Sequence, residues 1–137
     1  MVTLAFYKAE FGRWYEKLIA WYTIGPFSHC ELVFGDDWFS SSPRDGGVRY
    51  KKIFAVPGRW VFLEIDANSD LIRNWCDTQV GKKYDWRGFF NFILPIGYSR
   101  SKWFCSEICV AGLQQAGVLL GEKPHRFSPN CLWRMLQ

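Results

Sequence analysis

Ser28 to Ser42 read SHCELVFGDDWFSSS. From Ser28 to Phe34 the pattern alternates with a period of two. His29, Glu31 and Val33 share one face, and Cys30, Leu32 and Phe34 take the other. Gly35-Asp36-Asp37 makes a tight turn, and Trp38 to Ser42 continues as a second strand, which is a hairpin signature.

Upstream of this hairpin, Val2 to Tyr7 alternates as a short strand with Val2, Leu4 and Phe6 on one side. From Gly12 to Thr23 the period becomes helical. Trp14, Leu18 and Trp21 recur beside Tyr15, Ile19 and Tyr22, around polar Arg13, Glu16 and Lys17, and Ile24-Gly25-Pro26 ends the helix. Downstream, the loop Pro43 to Gly47 precedes a strand over Val48 to Phe54. Arg59 to Asp66 is a further strand, with Val61, Leu63 and Ile65 on one side.

Asn68 offers a cap for a helix over Ser69 to Val80, closed by Gly81. The aromatic segment Tyr84 to Leu94 leads to Pro95-Ile96-Gly97. A helix is expected over Trp103 to Ala116, ended by Gly117, and a last one starts at Ser128-Pro129. Antiparallel strands with helices segregated from them predict an α+β fold, in one domain spanning residues 1–137.

Composition narrows the function. Apolar residues make up 49% and charged residues 22% of the 137-residue chain, which is a globular balance. The net charge of +4 comes without a basic stripe, since Lys51-Lys52 and Lys82-Lys83 are only short pairs, so no nucleic-acid partner is expected. The N-terminal residues lack the pattern of a signal peptide, which predicts synthesis in the cytoplasm. Phe89 to Tyr98 is too short and too interrupted by Pro95 to span a bilayer, so no transmembrane segment is expected. Five cysteines without a C-x-x-C pair argue for reduced thiols, and no metal site or cofactor is expected.

Among those thiols, Cys105 stands near the start of a predicted helix, in SKWFCSEICVAGLQQAG. There free backbone amides and the helix dipole favour a thiolate, the reactive form of cysteine. Cys76, Cys109 and Cys131 fall within helical patterns and read as core. A nucleophilic cysteine needs an imidazole to take its proton. The chain has two histidines: His29 on a strand, and His125 in the loop GEKPHRFSPN. The strand is the more rigid platform from which to aim a base, which favours His29. Glu107, just beyond the nucleophile, reads as a solvated helix residue.

SHCELVFGDDWFSSSPRDGG, followed by GKKYDWRGFF and WFCSE, resembles the circularly permuted branch of the NlpC-type papain-like cysteine amidases and peptidases. In that branch the histidine strand precedes the cysteine helix, an order shared by the lecithin:retinol acyltransferase-like proteins. The resemblance covers Val2 to Gly117. It implies a papain-like fold, Cys105 as nucleophile and His29 as general base. A third polar residue would orient the imidazole. Ser41 is the nearest match on the paired strand, while Glu31 shares a face with His29, although residues two apart on one strand are separated by about 6–7 Å.

The resemblance also implies acyl-enzyme chemistry, with the backbone amide of Cys105 as one oxyanion donor. The substrate it points to first is an amide in peptidoglycan stem peptides, which would suit a bacterial or phage protein. Lipid acyl transfer or thioester hydrolysis is the alternative, with Phe89, Phe90, Phe92 and Ile93 as a lipid contact. A catalytically silent binding module is a third possibility, which the intact Cys–His pair opposes.

Overall fold

The computed structural model describes residues 1–85 and 104–137, and shows an α+β fold built on one five-stranded antiparallel sheet. The strands are β1 (Val2–Lys8), β2 (Phe27–Phe34), β3 (Asp37–Ser42), β4 (Gly47–Lys52) and β5 (Trp60–Ile65), in the sheet order β4-β3-β2-β1-β5. Four α-helices are described: α1 (Trp14–Tyr22), α2 (Ser69–Gln79), α3 (Cys105–Gln114) and α4 (Pro129–Leu136). The expected strands and helices lie within a residue or two of these bounds. The start of the helix expected at Trp103 and the aromatic residues Phe89, Phe90, Phe92 and Ile93 lie outside the described residues.

The hairpin forms as its pattern requires. Phe34 pairs with Asp37 and Leu32 with Phe39 around Gly35, whose φ of 63° suits the turn. Cys30 and Leu32 are fully buried on the inward face, and Phe34 nearly so. α3 packs on β2 and β3, with α2 and α4 beside it. Leu4, Phe6, Leu32, Phe39, Ile72, Ile108 and Leu113 form the centre of the core. Gly112 permits the close approach of α3 to the sheet, because a side chain there would press on Leu32 at 3.0 Å.

The capping signals operate locally. Asn68 Oδ1 accepts from the amides of Asp70 and Leu71 at 3.0 and 3.3 Å. Ser128 Oγ accepts from the amide of Cys131 at 3.0 Å, with Pro129 in the first turn.

Helix α1 departs from its sequence pattern. Its aromatic residues Trp14 and Trp21 are 76% and 74% exposed, while Glu16, Ile19 and Ala20 form the buried face. Glu16 is retained there because its carboxylate works twice. It accepts from the backbone amide of Arg13 at 2.5 Å and from Arg44 at 3.1 Å. Cys131, expected in the core, is only half-buried at its edge. No helix among the described residues is long and apolar enough to cross a membrane.

Candidate active site

Cys105 is the first residue of α3, so its sulfur lies at the positive end of the helix dipole. His29 comes from β2, next to an irregularity in the β1–β2 ladder. Tyr7 pairs with His29 but Lys8 pairs with Phe27, leaving Ser28 as an extra residue. Such a bulge bends a strand and redirects the side chains beside it. Here the His29 imidazole and the Cys105 thiol come together on the wall of one cavity, close enough for each to shift the other's titration.

The other side of the imidazole is also taken. His29 Nε2 lies 2.8 Å from Glu31 Oε1, so Nδ1 is the nitrogen left for the sulfur. Adjacent same-face positions on a strand are about 6–7 Å apart at the backbone, but these two side chains are long enough to close the gap.

Glu31 is itself held. Arg49, on β4, reaches over β3 and donates from Nη1 to Glu31 Oε2 at 2.6 Å and from Nη2 to Oε1 at 2.7 Å. Arg49 Nε donates to Asp45 at 2.9 Å, and Lys51 reaches the other oxygen of Asp45 at 3.2 Å. The charges therefore alternate outward from the sulfur through His29, Glu31, Arg49, Asp45 and Lys51. Glu31 is 1% exposed, and such burial of a carboxylate requires this two-pronged pairing.

The electrostatics follow from the contacts. Burial opposes charging of the His29 imidazole, but the Cys105 sulfur and the Glu31 carboxylate outweigh it and raise its pKa well above the usual histidine range. Burial likewise opposes the Cys105 thiolate. The neighbouring Cys30 thiol and backbone, together with the charge of His29, outweigh it and lower the pKa. For Glu31, burial is outweighed by Arg49 and then His29, and the carboxyl stays ionised below its ordinary range. The arrangement favours a thiolate–imidazolium pair.

Glu107 is not the solvated residue its position suggests. It is 5% exposed and accepts from the backbone amide of Phe104 at 3.3 Å, capping the helix that carries Cys105. Burial pushes its carboxyl up to about 7 against that hydrogen bond, with the charges of Asp85 and Cys105 adding to the rise.

Cys105 is only 2% exposed, and its outlet is a cavity of about 180 Å³ shared with His29 and Glu31. Tyr7, Tyr15, Ile19, Ile53, Trp60 and Tyr84 supply apolar walls, and Arg44, Asp45, Arg49 and Lys51 a charged side. That volume suits one side chain or a short acyl group rather than a large ligand. Ser41, the other sequence candidate, is fully buried on β3 opposite Val48 and does not line the cavity, whereas Ser42 does. His125 lies in a short 3-10 turn away from the cavity lining, and burial and the neighbouring Arg126 and Lys123 lower its pKa.

Sequence reasoning missed Arg49 and Ser28. Arg49 carried one signal, a charge on a predicted strand, but nothing identified its partner. Among the described residues, no group of three or more His, Cys, Asp or Glu side chains is disposed to hold a metal ion. In comparisons with protein-family models, curated proteins and solved structures, the chain matches none.

Proposed function

We propose that this chain is a cysteine hydrolase of the permuted NlpC-type papain-like kind, cleaving an amide bond, with peptidoglycan stem peptides as the first substrate class. One observation carries the reading. A thiol at the first turn of a helix shares a cavity with an imidazole whose Nε2 is held by a buried carboxylate, and the two groups shift each other's titration towards the ion pair. The same residues in the same order underlie the resemblance of the sequence to that family.

In the reaction, the Cys105 thiolate attacks the carbonyl carbon and a C–S bond forms. The carbonyl electron pair moves onto oxygen, next to the backbone amide of Cys105. As the intermediate collapses, the C–N bond breaks and the His29 imidazolium gives its proton to the leaving amine. Water, deprotonated by His29, then attacks the thioester and releases the acid. Glu31 keeps the ring oriented and stabilises its charged form, and Arg49 keeps Glu31 in place.

Iodoacetamide labelling at pH 6, read by peptide mass spectrometry, tests the site without knowledge of the substrate. An ordinary thiol with a pKa of about 8.5 is well under 1% ionised at that pH, so Cys105 should react tens of times faster than Cys131. Equal rates would remove the paired thiolate. Digestion of purified sacculi should then release new amine termini with the wild-type chain and none with Cys105→Ala. If the thiolate is present but no amine termini appear, the substrate class is wrong and the lipid-acyl alternative takes its place.

A further inference from the structure

Ser28 is the extra residue of the bulge between β1 and β2, directly before the base His29. It is 3% exposed, and its hydroxyl has no hydrogen-bond partner among the described residues. Other buried serines behave differently: Ser40 Oγ donates to the Cys30 carbonyl at 2.7 Å, and Ser106 Oγ to the Phe127 carbonyl at 2.5 Å. An unpaired buried hydroxyl is a destabilising feature that folded proteins rarely retain without a use for it. Ser28 also lines the cavity shared by Cys105 and His29. The oxygen itself is covered, but with no hydrogen bond among the described residues to hold it, a turn about Cα–Cβ can bring its hydrogen to something that enters.

We propose that Ser28 Oγ–H is the second donor to the oxygen of the carbonyl under attack. Together with the Cys105 backbone amide, it would complete the site where negative charge develops. The inference rests on the hydrolase reading and adds a catalytic residue to it. With a p-nitrophenyl ester, the Cys105 sulfur forms a bond to the carbonyl carbon while the carbonyl electron pair shifts to oxygen. That oxygen accepts from Ser28 and from the amide. When the pair returns, the bond to p-nitrophenolate breaks and the leaving group departs with its electrons. Ser28 keeps its proton throughout.

The test compares wild type, Ser28→Ala and Ser28→Thr in two reactions of the same sulfur. p-Nitrophenyl acetate acylates Cys105 through an oxyanion, whereas iodoacetamide alkylates it at a saturated carbon and forms none. Expected for Ser28→Ala are unchanged alkylation at pH 6 and acylation slower by about 10- to 100-fold. Its melting temperature should be equal or higher, because the unpaired hydroxyl is gone. Ser28→Thr, which keeps the hydroxyl, should recover most of the acylation rate. Should Ser28→Ala not fold, Ser28→Gly removes the hydroxyl without adding an atom and is judged by the same rates.

Acylation within twofold of wild type would overturn the proposal. So would an equal fall in both reactions, which would make Ser28 a support for His29 rather than an oxyanion donor. A wild-type chain showing neither selective alkylation nor a Cys105-dependent nitrophenolate burst would instead bring down the hydrolase reading, and Ser28 with it.

Discussion

At the residue scale, the histidine is governed by what stands behind it. Replacing Glu31 with Gln removes a charge 2.8 Å from His29 Nε2 while leaving an acceptor in place. The imidazolium then loses support, and the alkaline limb of the pH–rate profile should move down by about one unit or more, while the acid limb, set by the sulfur, moves less. Arg49→Leu acts one step further out. It leaves a buried carboxylate with His29 as its one remaining ionic partner among the described residues, which should cost about 3 kcal/mol in chemical denaturation and lower activity as well.

The sequence makes Cys105, His29 and the shared face of Glu31 visible, because helix starts and strand alternation are local patterns. Arg49 is invisible to that reading. Its meaning depends on β4 lying two strands from β2, a fact of sheet order that no local spacing contains. Ser28 is hidden for a similar reason: a bulge is a mismatch between two strands, and neither strand records it alone.

At the scale of elements, β2 is anchored by a helix that lies beyond the segment carrying the family resemblance. Asn130, on α4, is 1% exposed and grips the backbone of Phe27. The Phe27 amide donates to its Oδ1 at 2.9 Å, and its Nδ2 donates to the Phe27 carbonyl at 2.9 Å and to Thr23 Oγ1 at 2.8 Å. The amide thus binds the Phe27 backbone where β3 no longer pairs with β2, two residues before His29. Asn130→Ala strands both backbone groups and should cost about 2–4 kcal/mol by denaturant melts, with a drop in turnover as β2 loosens.

The turn just before β2 offers the opposite effect. Ile24 is 81% exposed with a φ of 54°, a left-handed conformation that a β-branched residue adopts at a cost. Ile24→Gly should leave activity unchanged and raise stability by up to about 1 kcal/mol, read as an upward shift in melting temperature. Element types and order were readable because caps and turns announce themselves. The orientation of α1 was not. Period alone ranks Trp14 and Trp21 as core and Glu16 as surface, and only the position of Arg44 and the Arg13 amide reverses that ranking.

For the whole molecule, the paired sulfur and imidazole tie stability to pH in a definite way. The pKa of Cys105 is depressed in the fold, so its contribution is complete above the unfolded value of about 8.5 and fades as pH falls. That of His29 is raised, so its contribution is complete below about 6.5 and fades as pH climbs. Between these values the two slopes cancel, because folded and unfolded chains hold equal numbers of protons at the pair. The melting temperature of wild type relative to Cys105→Ser should therefore be greatest and level from about pH 6.5 to 8.5 and shrink on both sides.

The burial of Cys105 among core residues, at 2% exposure, inverts the usual behaviour of hidden thiols. Cys30, Cys76 and Cys109 are shielded in the native state and become available to alkylating reagents when the chain opens. In the proposed pair Cys105 owes its ionisation to His29 and Cys30, which β2 brings to it from far along the chain, so opening returns it to an ordinary, mostly protonated group. Titrating urea at mildly acidic pH should thus extinguish one cysteine's labelling across the same transition that exposes Cys30, Cys76 and Cys109. The sulfur becomes a built-in gauge of how much of the population is intact.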